Sequence, residues 1–455
     1  MQDVRAFRGA DAASDHHLVV SKIRLKLRKA AEPAKVKCRK FDVAKLANQQ
    51  TKRDFVLELS NRFDALRNLD GTEEEDEDNS EQAVWDQIKT ILTESAEKVL
   101  GFVKKSRKAW ITDRTWNKIE ERRRMKEKVN QSHSERIKQI RRRQYADKNK
   151  EVKACAREDK EKFIEDRAKE AEEAAAKGEM NTVYKITKEL SSKKPTIVPV
   201  KDKVGRVITN EREQAERWKS HFKEVLNLPE PKVQASPHPA ANLLNISTKP
   251  PTLLEVGEAI PAMKHGKAAG ADRIQAELLK AAPQLITEVL HNLFRKVWDS
   301  EKVPDDWTKG IIIKLPKKGD LGNCDNWRGI TLLSIPSKVF CRILLKRIDK
   351  EIDGKLREEQ AGFRANRGCI DQIFSLRNII EQCVEWNSPL HINFVDFKKA
   401  FDSIHRQSMF KILAHYGIPP KLISIITKFY ESFQCTVALE NNNLTEYFNV
   451  ESGVR

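Results

Sequence analysis

The chain has 455 residues, with 85 Lys and Arg against 67 Asp and Glu, a formal charge of +18. That length holds two to four domains and at least one sizeable core, and the basic surplus suits a polyanionic partner. Seven cysteines, odd in number and without CxxC spacing, imply neither a disulfide framework nor a zinc module, while the absence of a signal-peptide start or a membrane-length apolar run gives the expectation of a soluble, intracellular protein, nuclear or cytoplasmic, without a membrane partner.

In chain order, residues 1–40 are mixed and end in a basic run. Residues 41–100 show helical periodicity broken by the acidic patch at Glu73–Asp78, which reads as a solvated loop. Residues 101–190 contain no proline and are highly charged; within 101–150, 18 Lys and Arg stand against 6 Asp and Glu, a local net of +12. Ala, Glu and Lys there favour helix. Arg122, Arg123, Arg124 and Arg141, Arg142, Arg143 cluster with Trp110, Trp116 and Tyr145 among them. Two readings stay open: a long solvated helix or helical pair, or a nucleic-acid-binding arm with phosphates on the arginines.

Linkers occupy 191–250, with boundaries at Lys193-Lys194-Pro195 and Ser236-Pro237-His238-Pro239. Between them Trp218, Phe222 and Val225 recur at helical spacing and read as core contacts. From 251 the pattern is α/β. A stripe from Leu285 to Trp298 predicts an amphipathic helix, and Gly310–Leu315 predicts a strand. Helices follow over 334–350 and 372–386, then a strand ending at Asp396. Two further helices, around Phe410–Tyr416 and Leu422–Phe433, are divided by Gly417 and Pro419-Pro420. A hairpin is expected between Cys435–Leu439 and Tyr447–Val450.

Three clusters carry chemistry. In Leu390–Asp402 an apolar run ends in one carboxylate, Asp396, and an aromatic ring, Phe401, follows five positions later. A strand-terminal carboxylate is a stiff ligand for the divalent ions of phosphoryl transfer, and the Phe397 carbonyl offers a second oxygen. A bulky Phe401 beside the sugar can exclude a ribose 2′-hydroxyl. Asp402 reads as the N-cap of a helix beginning near Ser403. In the second cluster, Lys314, Lys317 and Arg328 suit a triphosphate, Lys as a point charge and Arg as a planar fork. The third, Gln360–Gly368, combines glycines and arginines, which suits backbone close to a phosphate chain.

Taken in order, Gly266–Asp272, the Lys-rich turn with Asn326–Leu333, Gln360–Arg364 and Phe394–Asp402 resemble the reverse transcriptase of non-LTR (LINE-type) retrotransposons, most like the RTE group, over about 250–455. The resemblance implies that Asp396 is a catalytic metal ligand and Phe401 the steric gate. It implies that Arg328 holds the triphosphate with Lys317 or Lys314, and that Gly362 and Arg364 lie near template or primer. It also implies Mg²⁺ as cofactor, and template RNA, primer DNA and dNTPs as partners. The family's palm continues past a Ser-Gly-Val-Arg segment to an Asp-Asp pair, whereas Ser452-Gly453-Val454-Arg455 is the end here. Near the start, Arg8–Val19 resembles the closing motif of the apurinic-type endonuclease of these elements, matching its Asp-His pair to Asp15 and His16.

The expected architecture is therefore α/β (α+β): an endonuclease remnant over 1–30, a charged, mainly helical linker over 31–250, and reverse transcriptase fingers with a partial palm over 251–455. The expected function is that of a partial RNA-directed DNA polymerase with an incomplete catalytic set, inactive as an isolated chain. The alternative is a non-catalytic RNA- or DNA-binding remnant of a retroelement.

Overall fold

A computed structural model describes residues 40–69, 80–103, 108, 110–131, 134–191, 199–439 and 443–454, with the backbone alone at 3–7, 18–22 and 67–69. Strands β1 (Asp3–Phe7) and β2 (Leu18–Lys22) pair antiparallel, Asp3 opposite Lys22. Asp15, His16 and the acidic patch lie outside the described residues.

Helices α1 (Gln49–Leu69) and α2 (Glu81–Val99) flank that patch. Ser80 caps α2 by accepting from the Ala83 N–H. The basic stretch forms α3 (Asp113–Asn130), α4 (Glu135–Ala176) and α5 (Met180–Ser191). Contacts from Thr112 to Asp159, Arg122 to Asn149 and Arg141 to Lys128 run in opposite chain directions, so α3 and α4 form an antiparallel hairpin. With 42 residues α4 is about 63 Å long, and α5 folds back on its far half through Arg167 and Glu189. The stretch is a helical pair, a shape compatible with either reading.

The remaining elements are α6 (Glu211–Leu226), α7 (Leu253–Ala259), α8 (Ala276–Ala281), α9 (Pro283–Ser300), β3 (Lys309–Pro316), β4 (Trp327–Leu332), α10 (Ile335–Ile352), α11 (Cys369–Glu385), α12 (Arg406–His415), α13 (Pro420–Lys428), β5 (Gln434–Val437) and β6 (Phe448–Asn449). The sheet order is β4-β3-β5-β6: β4 and β6 run antiparallel to their neighbours, and β3 and β5 are parallel. Among the described residues no helix is long and apolar enough to cross a membrane.

The stripe expected on α9 is its buried face: Ile286, Leu290, Leu293, Phe294, Val297 and Trp298. They share one core with Phe55 and Leu59 of α1, Trp85 and Leu92 of α2, and Phe340 of α10. Trp85 meets Trp307 edge-on at 5.7 Å, and Trp85 Nε1 and Lys89 Nζ donate to Asp306 Oδ2 at 3.1 and 2.6 Å. The packing therefore does not divide at 250: α1 and α2, expected in the linker, complete the core of the C-terminal part. A second core joins Trp218 and Phe222 of α6 to Ile312, Cys435 and Phe448 of the sheet.

The loop from Gly266 to Asp272 is pinned where Gly270 passes the start of α10. A Cβ at Gly270 would lie 2.5 Å from the Leu333 carbonyl carbon and from the Ser334 nitrogen. These are backbone atoms, so the loop itself must move. Gly270→Ala is expected to cost about 1–3 kcal/mol, the range for overpacking; an unchanged thermal midpoint would show that the loop gives way freely.

One expected strand is not formed. The run from Leu390 to Asp396 has no strand assignment and no backbone hydrogen bond among the described residues. Phe394, Val395 and Phe397 are 82%, 78% and 75% exposed. Its residues suit a strand, but a strand needs a ladder partner, and none of the described strands lies beside it. The helix expected from Ser403 also starts later, at Arg406, with His405 in the N-cap position.

Candidate functional site

The site is built at the turn end of β3 and β4. Leu315 lies opposite Arg328, and Lys314 opposite Gly329. Successive strand residues face opposite sides of a sheet. Gly329 is on the side of α6, where a Cβ would sit 2.7 Å from Phe222 Cε1. Lys314 shares that side, and its ammonium stands 4.5 Å from the centre of the Trp218 ring. Arg328 is on the other, open side. Lys317, just past the strand, donates from Nζ to the Asp325 carbonyl at 3.3 Å. Register thus separates the two candidate lysines: Lys314 faces the connector helix, and Lys317 stays at the turn near Arg328.

Asp402 lies close enough to these cations to feel their charge. Asp402 is half-buried, and burial pushes its carboxyl up while Lys399, Arg328 and Lys317 pull it down. Asp402 does not cap a helix. Its turn is set by Lys399, which sits in the left-handed region at φ 54° and whose carbonyl accepts from the Asp402 and Ser403 N–H groups at 2.9 and 3.0 Å. Asp396 stands on the exposed, unpaired run before this turn, together with the Phe397 carbonyl.

The segment 450–454 locks the turn from the other side. Gly453 N donates to the Ile404 carbonyl and Val454 N to the Phe401 carbonyl, both at 2.8 Å. Ser452 Oγ donates to the Asp402 carbonyl at 3.2 Å. Gly453 has φ 77°, and a Cβ there would come within 2.8 Å of the Asp402 carbonyl oxygen. Only glycine meets both demands without strain. Arg406, buried in the first turn of α12, ties the same segment down through three carbonyls. The sequence reading missed Arg406 because its partners are main-chain atoms some 45 residues away.

Phe401 is exposed and meets Phe363 edge-on, with ring centres 6.0 Å apart. Phe363 is itself 96% exposed and left-handed at φ 63°. Gly362 is exposed beside it. Arg364 turns inward: Nε donates to Asp353 Oδ1 at 2.8 Å, Nη1 to the Arg357 carbonyl at 2.7 Å, and Nη2 to the Asp353 carbonyl at 3.0 Å. Its guanidinium holds the loop that follows α10.

The arginines of the arm divide in the same way. Arg122 bonds Asn149 Oδ1 at 2.9 Å and Arg141 the Lys128 carbonyl at 2.8 Å, both inside the hairpin. Arg142 pairs with Glu135 at 3.4 Å. Arg123, Arg124 and Arg143 are exposed, Arg123 lying over the Trp116 ring. Tyr145 is covered by Lys126 and Trp110 by Lys108, so these rings already have cations on them.

Residues 315–455 match the family described as Reverse transcriptase (RNA-dependent DNA polymerase). The chain is 26% identical over 206 residues to the Transposon TX1 uncharacterized 149 kDa protein of Xenopus laevis, covering 45% of this chain and 16% of that protein. It is 23% identical over 279 residues to the probable RNA-directed DNA polymerase from transposon BS of Drosophila melanogaster, covering 57% and 30%. Against the RNA-directed DNA polymerase from mobile element jockey of the same fly, identity is 27% over 184 residues, covering 40% and 20%. The chain thus spans less than a third of the length of these curated relatives. Its C-terminal segment, residues 315–455, is a partial reverse transcriptase domain, homologous to the RNA-directed DNA polymerases of non-LTR retrotransposons.

Proposed function

We propose that the turn end of β3 and β4 is the nucleotide side of an RNA-directed DNA polymerase site, with Arg328 and Lys317 on the triphosphate of a dNTP and Phe401 beside its sugar. The observation that carries this reading is the gathering of Arg328, Lys317 and Lys399 around the Asp402 turn, in a segment homologous to polymerases. Arg328 is open to solvent and can offer its planar fork to two phosphate oxygens. Gly362, with Phe363 next to it, would face the template RNA or primer DNA.

The resemblance implies Mg²⁺, held by Asp396 and the Phe397 carbonyl. Among the described residues, no group of three His, Cys, Asp or Glu side chains is placed to hold a metal ion. The described residues do not build a metal centre by themselves. Asp396 is proposed as one ligand only.

Titration of the chain with a fluorescent dNTP and Mg²⁺ tests the nucleotide side. Arg328→Ala is expected to weaken binding by at least about 10-fold, and Arg328→Lys by less, because the charge survives but the fork does not. Equal affinity in all three proteins would remove Arg328 from the site.

A second reading, a nucleic-acid-binding arm on α3 and α4, is favoured by the exposure of Arg123, Arg124 and Arg143 on that hairpin.

A further inference from the structure

Helix α11 has an apolar face that nothing among the described residues covers. No residue of α11 is buried, and the hydrogen bonds of its side chains, Ser375 to the Asp371 carbonyl and Arg377 to Glu381, stay within the helix. Ile370, Ile373, Phe374, Ile380 and Val384 recur at helical spacing and are exposed, Ile370 by 79% and Val384 by 75%. A helix of this length is marginal in water unless its apolar face packs on something.

The unpaired run continues this surface. The Asn387 and Ser388 N–H groups donate to the Val384 and Cys383 carbonyls at 3.3 and 2.8 Å, so a fixed turn joins α11 to the run. From Leu390 to Asp396 the main chain has no hydrogen bond among the described residues. A row of unpaired N–H and C=O groups is a template for another strand. Four rings, Phe374, Trp386, Phe394 and Phe397, are 62–82% exposed. At ~150–250 Å² a ring they offer on the order of 600 Å². The aliphatic side chains carry the patch past the ~300–600 Å² of a typical monomer and up to the ~800 Å² that each partner gives to a standard interface.

The run is complementary to itself. In an extended strand Leu390, Ile392 and Phe394 share one face, and His391 and Asn393 the other. Laid antiparallel on a second copy with Ile392 opposite itself, Leu390 meets Phe394 and His391 meets Asn393. Apolar residues then face apolar ones, and polar residues face polar ones. Centring the pair on Asn393 instead would set Asp396 against Leu390. Pro389 closes the ladder at the other end, because it has no N–H to give. The ends match in charge as well. Glu385 precedes the run and Lys398 follows it, and neither makes an ion pair among the described residues. Two antiparallel copies bring Glu385 of each toward Lys398 of the other.

We propose that α11 and the 390–394 run form the interface of a symmetric dimer of this chain, centred on an antiparallel pairing of the two runs at Ile392. Each copy contributes the same patch, so the contact closes at two. Asp396 lies beyond the paired residues. The inference does not rest on the dNTP contacts proposed for Arg328 and Lys317, and its test does not read them.

The test is the oligomeric state of the full chain, read by sedimentation over a wide range of concentration. The parent should pass from monomer to dimer and no further. Ile370→Glu and Val384→Glu change exposed side chains, so each should raise the dissociation constant by at least about 10-fold and leave the thermal midpoint in place. Glu385→Lys should weaken the dimer, and adding Lys398→Glu should restore it. Cysteine pairing then reads the register. Residues directly opposite in an antiparallel pair have Cα atoms ~4.5–5.5 Å apart, within reach of a disulfide, whereas diagonal neighbours at ~7–8 Å are out of reach. Under oxidation Ile392→Cys should therefore cross-link to itself. His391→Cys should not exceed the background set by the parent's exposed Cys341 and Cys369 until it is mixed with Asn393→Cys. A monomer at every concentration, open-ended aggregates, a dimer that survives both glutamates, or equal cross-linking of Ile392→Cys and His391→Cys alone would overturn the inference.

Discussion

Replacing Arg406 by Met is expected to lower stability by about 3–5 kcal/mol, the range for removing one member of a buried, charged hydrogen-bond network. The guanidinium donates from Nε to the Gly453 carbonyl at 3.0 Å, from Nη1 to the Val450 carbonyl at 2.6 Å and from Nη2 to the Ser452 carbonyl at 3.1 Å. It also lies over the Tyr430 ring at 4.9 Å. Met fills much of the space but donates nothing, so three carbonyls lose their partner at once. The damage should be local in a specific way. The Gly453 and Val454 N–H groups bond to the carbonyls of Ile404 and Phe401, so a loosened 450–454 segment also frees the turn that carries Phe401 and Asp402. Urea unfolding should show a lower midpoint with an unchanged slope, and the Gly453 and Val454 amides should lose protection from hydrogen exchange. A variant within about 1 kcal/mol of the parent, with those amides still protected, would show that the segment is held without the arginine.

The sequence disclosed single elements better than their partners. The α9 stripe and strand β3 were legible because each pattern is local: burial every three or four residues marks a helix face, and an apolar run between turns marks a strand. The run at Leu390–Asp396 has the same kind of composition, yet it forms no ladder, because composition records β propensity and not the presence of a neighbour. Asp402 was misread for a related reason. One residue before Ser403 it looks like a cap, but the left-handed Lys399 turn delays the helix to Arg406 and leaves the half-buried carboxylate under the charge of Lys399, Arg328 and Lys317. The choice between Lys314 and Lys317 needed strand register, which sequence does not display. The helical character of 41–100 could be read, whereas its place in the core with Trp307 and Phe294 could not.

Stability between about pH 5 and 7 should be nearly flat in this chain and sloped in two single variants, with opposite signs. Asp272 is 2% exposed, and burial pushes its carboxyl up to about 6, with Ser334 and the Ile274 N–H pulling back. A carboxyl raised in the folded state contributes stability that is complete below its unfolded value of 3.8 and is lost as pH rises through 6. The difference is roughly 3 kcal/mol. His221, on α6, behaves in the opposite way. Burial takes its folded value down to about 4, below the unfolded 6.5, so its contribution is complete above 6.5 and is lost as pH falls through 4, again by roughly 3 kcal/mol. The two windows overlap and the slopes cancel. Asp272→Asn keeps an oxygen for the Ile274 N–H, removes the buried ionisation and leaves His221 unopposed, so that variant should lose stability as pH falls from 7 to 5. His221→Gln should gain stability over the same range, with Asp402 adding to the gain because burial raises its carboxyl too. The carboxyls held low, led by Glu255 at about 2 beside Arg347, start to cost stability as pH falls below about 5, where the unfolded chain takes up protons first, so both slopes are read above that pH. Denaturant midpoints at intervals of pH would read both slopes. If both variants stay as flat as the parent, neither buried group changes its protons on unfolding, and burial does not shift either of them.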